Sequence, residues 1–194
     1  AMLIQPIKLE LQISDTMLGF LTGPAFAVLY AGFGIPIARL ADRTSRRAIL
    51  ALAFAAWSAC TALSGLAVNT AQLALARVGV GIGEAGGTAP AHSLISDYFV
   101  PGARARALAI FQMGVYLGMF MGIYAGGVLA VEIGWRKTFM VAGLPGLALA
   151  LLLWLSVREP PRGGIEHAAA PPPSSPPLGQ GLSSLWRLRS FRWL

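Results

Sequence analysis

The chain is poor in the residues that soluble proteins use most and in those that hold metals. It has one cysteine and two histidines in 194 residues, and only 12% of its residues are charged. A solitary cysteine, Cys60, excludes a disulfide-stapled scaffold and a thiolate metal site. His92 and His167 have no acidic or thiol partner at ligand spacing, so no metal centre and no cofactor is expected. Charged residues near a quarter are usual in a soluble domain, and this chain falls well short. Acidic residues are the scarcest, eight against fifteen Lys and Arg, for a net charge of +7. Nor is there a nucleotide or nucleophile motif. Gly79, Gly81 and Gly83 lie inside an apolar run instead of between a strand and a helix, and no Gly-x-Ser-x-Gly is present. An enzyme is not expected.

What the chain has is apolar length. Hydrophobic residues make up 56% and the mean hydropathy is +0.65. Disorder is incompatible with such a composition. A helix of about 20 residues crosses a bilayer core of ~30 Å, so the chain can hold roughly five to seven crossings. The sequence predicts an all-α membrane bundle. Residues 1–15 form an extracytoplasmic lead-in, too poor in N-terminal charge for a signal peptide. The transmembrane bundle covers 16–157, with spans near 16–40, 48–68, 71–93, 107–131 and 138–155. Ser14 or Asp15 caps the first span, and the third extends as a helix towards Phe99. Residues 158–177, rich in proline, read as a disordered cytoplasmic linker. Residues 178–194 read either as a basic amphipathic segment on the membrane surface or as a lead-in to a further helix.

The charges are sorted by side. Arg39, Arg43, Arg46, Arg47, Arg104, Arg106, Arg158 and Arg162 fall on one side, and Lys8, Arg136 and Lys137 on the other. Cytoplasmic loops carry the Lys and Arg excess, so the first side is cytoplasmic and the N-terminus outside. This disposes of a nucleic-acid partner for the +7 charge. Five spans with an outside N-terminus also imply a helix upstream, in keeping with a first residue that is Ala instead of Met.

Three constellations stand out. Arg77 and Glu84 lie inside the third span, seven residues apart, on one face and about 10 Å apart along the axis. Intramembrane charges are costly and mark substrate or ion pathways or a structural ion network. The loop with Asp42, Arg43, Arg46 and Arg47 signals topology through its arginines. Its lone Asp42 could latch onto Arg104 or Arg106 in one conformation. Gly114, Gly118, Gly122 and Gly126 form a small-residue ridge for helix packing.

The stretch Ala38-Arg-Leu-Ala-Asp42-Arg43-Thr-Ser-Arg46-Arg47 resembles the signature loop between helices 2 and 3 of the major facilitator superfamily, with Ala38 and Ser45 where glycine is usual. Arg77 to Ala85 is similar to the family's fourth-helix motif, and Gly134-Trp135-Arg136 with Phe139 to the approach to helix 6. The Gly83-Glu84-Ala85 version, Ser14-Asp15 and Asp97-Tyr98-Phe99 resemble the spinster-like branch. The resemblance implies a truncated helical bundle equivalent to helices 2 to 6, with helix 1 and the C-terminal half expected for function. It implies a secondary active transporter working by alternating access as a symporter or antiporter, with the lipid bilayer, protons and a small organic anion or lysolipid-like amphiphile as partners. Arg77 and Glu84 would carry substrate binding and proton coupling. Asp42, Arg43, Arg46, Arg47, Arg104 and Arg106 would form the cytoplasmic gate. The location implied is a bacterial inner membrane. The alternative is a truncated, non-transporting membrane protein or assembly subunit.

Overall fold

A computed structural model describes residues 3–163. The segment expected over 178–194 and most of the linker expected over 158–177 lie outside the described residues. Seven helices follow one another: α1 (Ile4–Leu11), α2 (Asp15–Thr22), α3 (Pro24–Arg43), α4 (Arg46–Ser64), α5 (Thr70–Ala85), α6 (Thr88–Tyr98) and α7 (Pro101–Ser156). No strand occurs among the described residues.

The helix starts are written locally. Ser14 Oγ accepts from Met17 N at 3.2 Å and Ser45 Oγ from Ala48 N at 3.1 Å. Asn69 Oδ1 accepts from Gln72 N, while Gln72 Oε1 reaches back to accept from Val68 N, both at 2.9 Å. The bonds to Met17, Ala48 and Gln72 satisfy donors that the first helical turn leaves free, and the one to Val68 ties the residue before the cap.

Two predicted continuous helices are broken. The run over 16–40 divides at Gly23, whose backbone (φ −114°, ψ −95°) turns the chain before Pro24 opens α3. The run over 71–99 divides at Gly86-Gly87, between α5 and α6. Pro90 explains the second break, because a helix running through it would lack a hydrogen bond to Gly86. Pro36 and Pro145, by contrast, sit inside α3 and α7. The turn expected over 132–137 contracts to one residue. Gly134 (φ 78°, ψ 162°) divides α7 into a first limb, 101–133, and a second, 135–156. That backbone region is essentially restricted to glycine.

Among the described residues, 15–43, Arg46–Ser64 and Pro101–Ser156 are helical stretches long and apolar enough to cross a membrane. At 1.5 Å per residue the 56 residues of α7 would reach far beyond one bilayer, so the Gly134 corner makes two crossings of one. With 16 residues α5 is short of a span by itself, and α6 extends it.

Packing centres on α4, which lies against α5 and the second limb of α7, while α3 lies against α5. Close approach is set by glycine. A Cβ on Gly143 would fall 2.5 Å from the Ser58 carbonyl, and one on Gly83 would fall 2.7 Å from Trp57 N. The ridge at Gly114, Gly118, Gly122 and Gly126 faces open space, with nothing within 4 Å of an added Cβ. The helices that this ridge suits are therefore not among the described ones. Between Phe120 and Val131 the first limb of α7 is apolar all round, and the limb is largely bare, with Met113 69% and Ile123 73% exposed. Such a helix requires hydrocarbon or further protein around it.

Two small cores occupy opposite halves. Ile7, Ile13, Leu18, Ala67, Leu73, Trp135 and Phe139 cluster under α1, while Leu50, Ala91 and Leu94 cluster towards the arginine-rich end.

Candidate functional site

Arg77 and Glu84 both project from α5 and are half-buried. The guanidinium of Arg77 lies over the ring of Phe139, 4.6 Å from its centroid. Phe139 is in turn met edge-on by Trp135 at 6.1 Å between ring centroids. A cation over an aromatic face gains roughly 0.5–2 kcal/mol, more when desolvated. Among the described residues neither Arg77 nor Glu84 is in an ion pair. The spacing of about 10 Å along the helix explains this. Thr88, one turn beyond Glu84, has its hydroxyl 3.3 Å from that of Tyr30 on α3. Sequence reasoning located the pair but not its aromatic support, because Phe139 lies on a distant helix.

The gate residues are placed unequally. Arg46 is 2% exposed and lies at the hub of the basic end. It donates to Ser93 Oγ at 2.9 Å, to Glu159 Oε1 at 2.9 Å, to the Pro160 carbonyl at 3.0 Å and to Asp97 Oδ2. Glu159 Oε2 accepts from the Ser45 hydroxyl and from Arg47 N, each at 2.8 Å. Burial pushes the Glu159 carboxyl up, but the Arg47 amide, Arg46 and Ser45 outweigh it and hold it below the usual carboxylate value. Arg47 Nη1 donates to the Val157 carbonyl at 3.2 Å, and its guanidinium covers Trp154. Arg162 donates to the carbonyls of Ala41, Asp42 and Thr44, closing the C-terminal end of α3.

Asp42 and Arg43 are exposed at the end of α3, and Arg106 is exposed on α7. Arg104 donates to the carbonyls of Ser96 and Phe99. Among the described residues the carboxylates joined to Arg46 are thus Asp97 and Glu159, a contact separate from the one expected between Asp42 and Arg104 or Arg106. Asp97 was visible beside the basic loop after α6; Glu159 carried no local signal.

A second clamp closes the opposite end. Glu10 on α1 accepts from Trp135 Nε1 at 2.6 Å and from Arg136 Nε at 2.9 Å. These two bonds hold the exposed Glu10 carboxyl below its usual value. Arg136 Nη1 also donates to the carbonyls of Gly65 and Ala67, at 3.2 and 2.5 Å. Within the expected lead-in, 1–15, α1 is tied down by this clamp. Among the described residues there is no cluster of three or more metal-ligating side chains.

Apolar helices with charges inside them and arginine–carboxylate clamps at both ends define a polytopic membrane protein. The family model of the Major Facilitator Superfamily matches residues 1–194, and the chain belongs to that family. It is 40% identical over 157 residues to an MFS-type efflux pump of Mycolicibacterium smegmatis, covering 81% of this chain and 37% of that protein. It is 36% identical over 155 residues to protein spinster homolog 1 of Mus musculus, covering 78% of this chain and 29% of that protein. Among solved structures it is similar to a bacterial homolog of the human lysosomal transporter Spinster, inward-facing and unoccupied. The identity is 40% and the TM-score 0.77, over 96% of this chain and 43% of that one. The spinster-like branch is the one these relatives indicate. The chain spans about a third of the length of these curated relatives.

Proposed function

We propose that this chain supplies part of the N-terminal half of a secondary active transporter that works by alternating access. The observation that carries the reading is Arg77 and Glu84 on one α5 face within apolar helices, with no ion partner among the described residues. Charges held there at a cost of at least ~2.5–3.5 kcal/mol each are suited to a transported ion or substrate. Arg77, resting on Phe139, would exchange the ring for an anionic group of a small organic anion or lysolipid-like amphiphile. Glu84 would take up and release the coupled proton. The basic end, with Asp42, Arg43, Arg46, Arg47, Arg104 and Arg106, would face the cytoplasm of a bacterial inner membrane and form its gate. The relatives named as a pump and a transporter support this reading.

The test is Glu84→Gln in the full-length protein reconstituted in vesicles. Uptake or efflux driven by a pH gradient is expected to be lost, while substrate exchange without a gradient persists. Unchanged gradient-driven transport would remove the coupling role from Glu84.

A further inference from the structure

Between α4 and the second limb of α7, near the basic end, lies a groove of about 370 Å³. Ala48, Ala51 and Ala55 line one wall, Leu147 and Leu151 the other, and Trp154 stands at the arginine end. The depth comes from the alanines, since larger side chains at those positions would fill the space. The groove opens on the outer face of the bundle, where the adjoining Leu52 is 65% and Leu151 59% exposed. In a membrane that face meets hydrocarbon, and an apolar hollow of this size takes up a chain.

The polar end of the groove is not neutral. Arg47 lies over the ring of Trp154, 4.5 Å from its centroid. Its Nε is buried without a hydrogen-bond partner, the one such side-chain atom among the described residues. One carbonyl, that of Val157, accepts from Nη1. The Glu159 carboxylate is ion-paired to Arg46 and meets Arg47 through its backbone amide. A guanidinium has five donors, and this one is short of acceptors and of counter-charge. It also stands in the first turn of α4, where the helix dipole favours an anion.

We propose that this groove seats an acyl chain of an anionic phospholipid whose phosphate lies against Arg47. Basic pockets between membrane helices on the cytoplasmic side hold anionic headgroups by the same complementarity. The chain's own segment 178–194 is a poor occupant by charge, because Arg187, Arg189 and Arg192 would repel Arg47. Neither Arg77 nor Glu84 lines the groove. The inference needs only that the helices lie in a membrane, and holds whether or not the transport reading does.

The test uses the full-length protein in vesicles containing either phosphatidylglycerol or phosphatidylcholine with a photoactivatable group in one acyl chain. Phosphatidylglycerol is expected to label the peptides covering 48–55 and 147–154 about fivefold more than phosphatidylcholine, the effect of roughly one arginine at an anionic surface. Arg47→Gln should bring the two lipids to equal labelling, Arg47→Lys should keep the preference, and Ala51→Phe should lower labelling by both. Equal labelling of wild-type protein by the two lipids would overturn the proposal, without reliance on any variant's folding. So would labelling spread over all helices, or a crosslink placing residues 178–194 in the groove.

Discussion

Arg46 and Arg77 both sit among apolar helices, and they are satisfied in opposite ways. Arg46 is enclosed by two carboxylates, a hydroxyl and a carbonyl, whereas Arg77 rests on a ring. The first arrangement fixes a structure; the second leaves a cation able to change partner. Removing Arg46 therefore strands Asp97 and leaves Glu159 with only the Ser45 hydroxyl and the Arg47 amide. Arg46→Ala is expected to lower the stability of the full-length protein by about 3–5 kcal/mol, read from thermal unfolding in detergent. Arg43→Ala, at an exposed position, should stay within about 0.5 kcal/mol of wild type. Glu159 adds a pH dependence. Its folded carboxyl titrates below the ordinary value of 4.5, so its contribution is present above that pH and lost as pH falls through the lowered value. Unfolding temperatures of wild type and Glu159→Gln should differ near neutral pH and converge as pH falls below 4.5. A constant difference across that range would separate Glu159 from the acid transition. At this scale the sequence located the arginines, while their partners were hidden by distance along the chain. Asp97 lies 51 residues and Glu159 113 residues from Arg46, and only tertiary packing joins them.

Among the elements, the corner at Gly134 and the ridge on α7 make opposite demands on glycine. Gly134 adopts a backbone that a side chain resists, although nothing crowds its Cβ position. Gly134→Ala is expected to cost about 1–3 kcal/mol through backbone strain alone. The thermal unfolding of that variant, set beside Gly118→Ala, measures the contrast. A larger loss for Gly118 would show that the ridge is packed in the full-length protein. Hydropathy read the apolar stretches correctly as helices but missed the breaks at Gly23 and Gly86-Gly87. Glycine and proline are nearly silent on an apolar scale, yet they decide where the backbone turns. The reverse holds for the ridge. Its regular spacing promised close packing, while the close approaches occur elsewhere, at Gly65, Gly79, Gly83, Gly143 and Gly146. Spacing shows which face is smooth, and the tertiary fold decides what lies against it.

For the whole molecule, both ends are polar and the middle is almost entirely apolar. The basic end joins α3, α4, α6 and the segment after α7, and the other end joins α1, the loop after α4 and the α7 corner. The distribution of arginine predicts that the first end faces the cytoplasm. Single cysteines placed at Arg106 and at Lys137, in a Cys60→Ser background, should react with an impermeant maleimide from opposite sides of the membrane. Labelling of both from the outside would reverse or abolish the proposed orientation. The overall class was legible because composition and charge side are properties of the whole chain. The two clamps were not, since each is made by segments that meet only once the bundle is assembled.

The clamp at Glu10 also sets an order in time. Its partner Trp135 follows 125 residues later. At about 5–20 residues per second, the carboxylate is made on the order of ten seconds before the indole that it binds. Until then α1 has no hold on the corner, and Arg136 cannot bridge it to the loop after α4. Docking of α1 therefore waits until the chain has been made as far as the α7 corner.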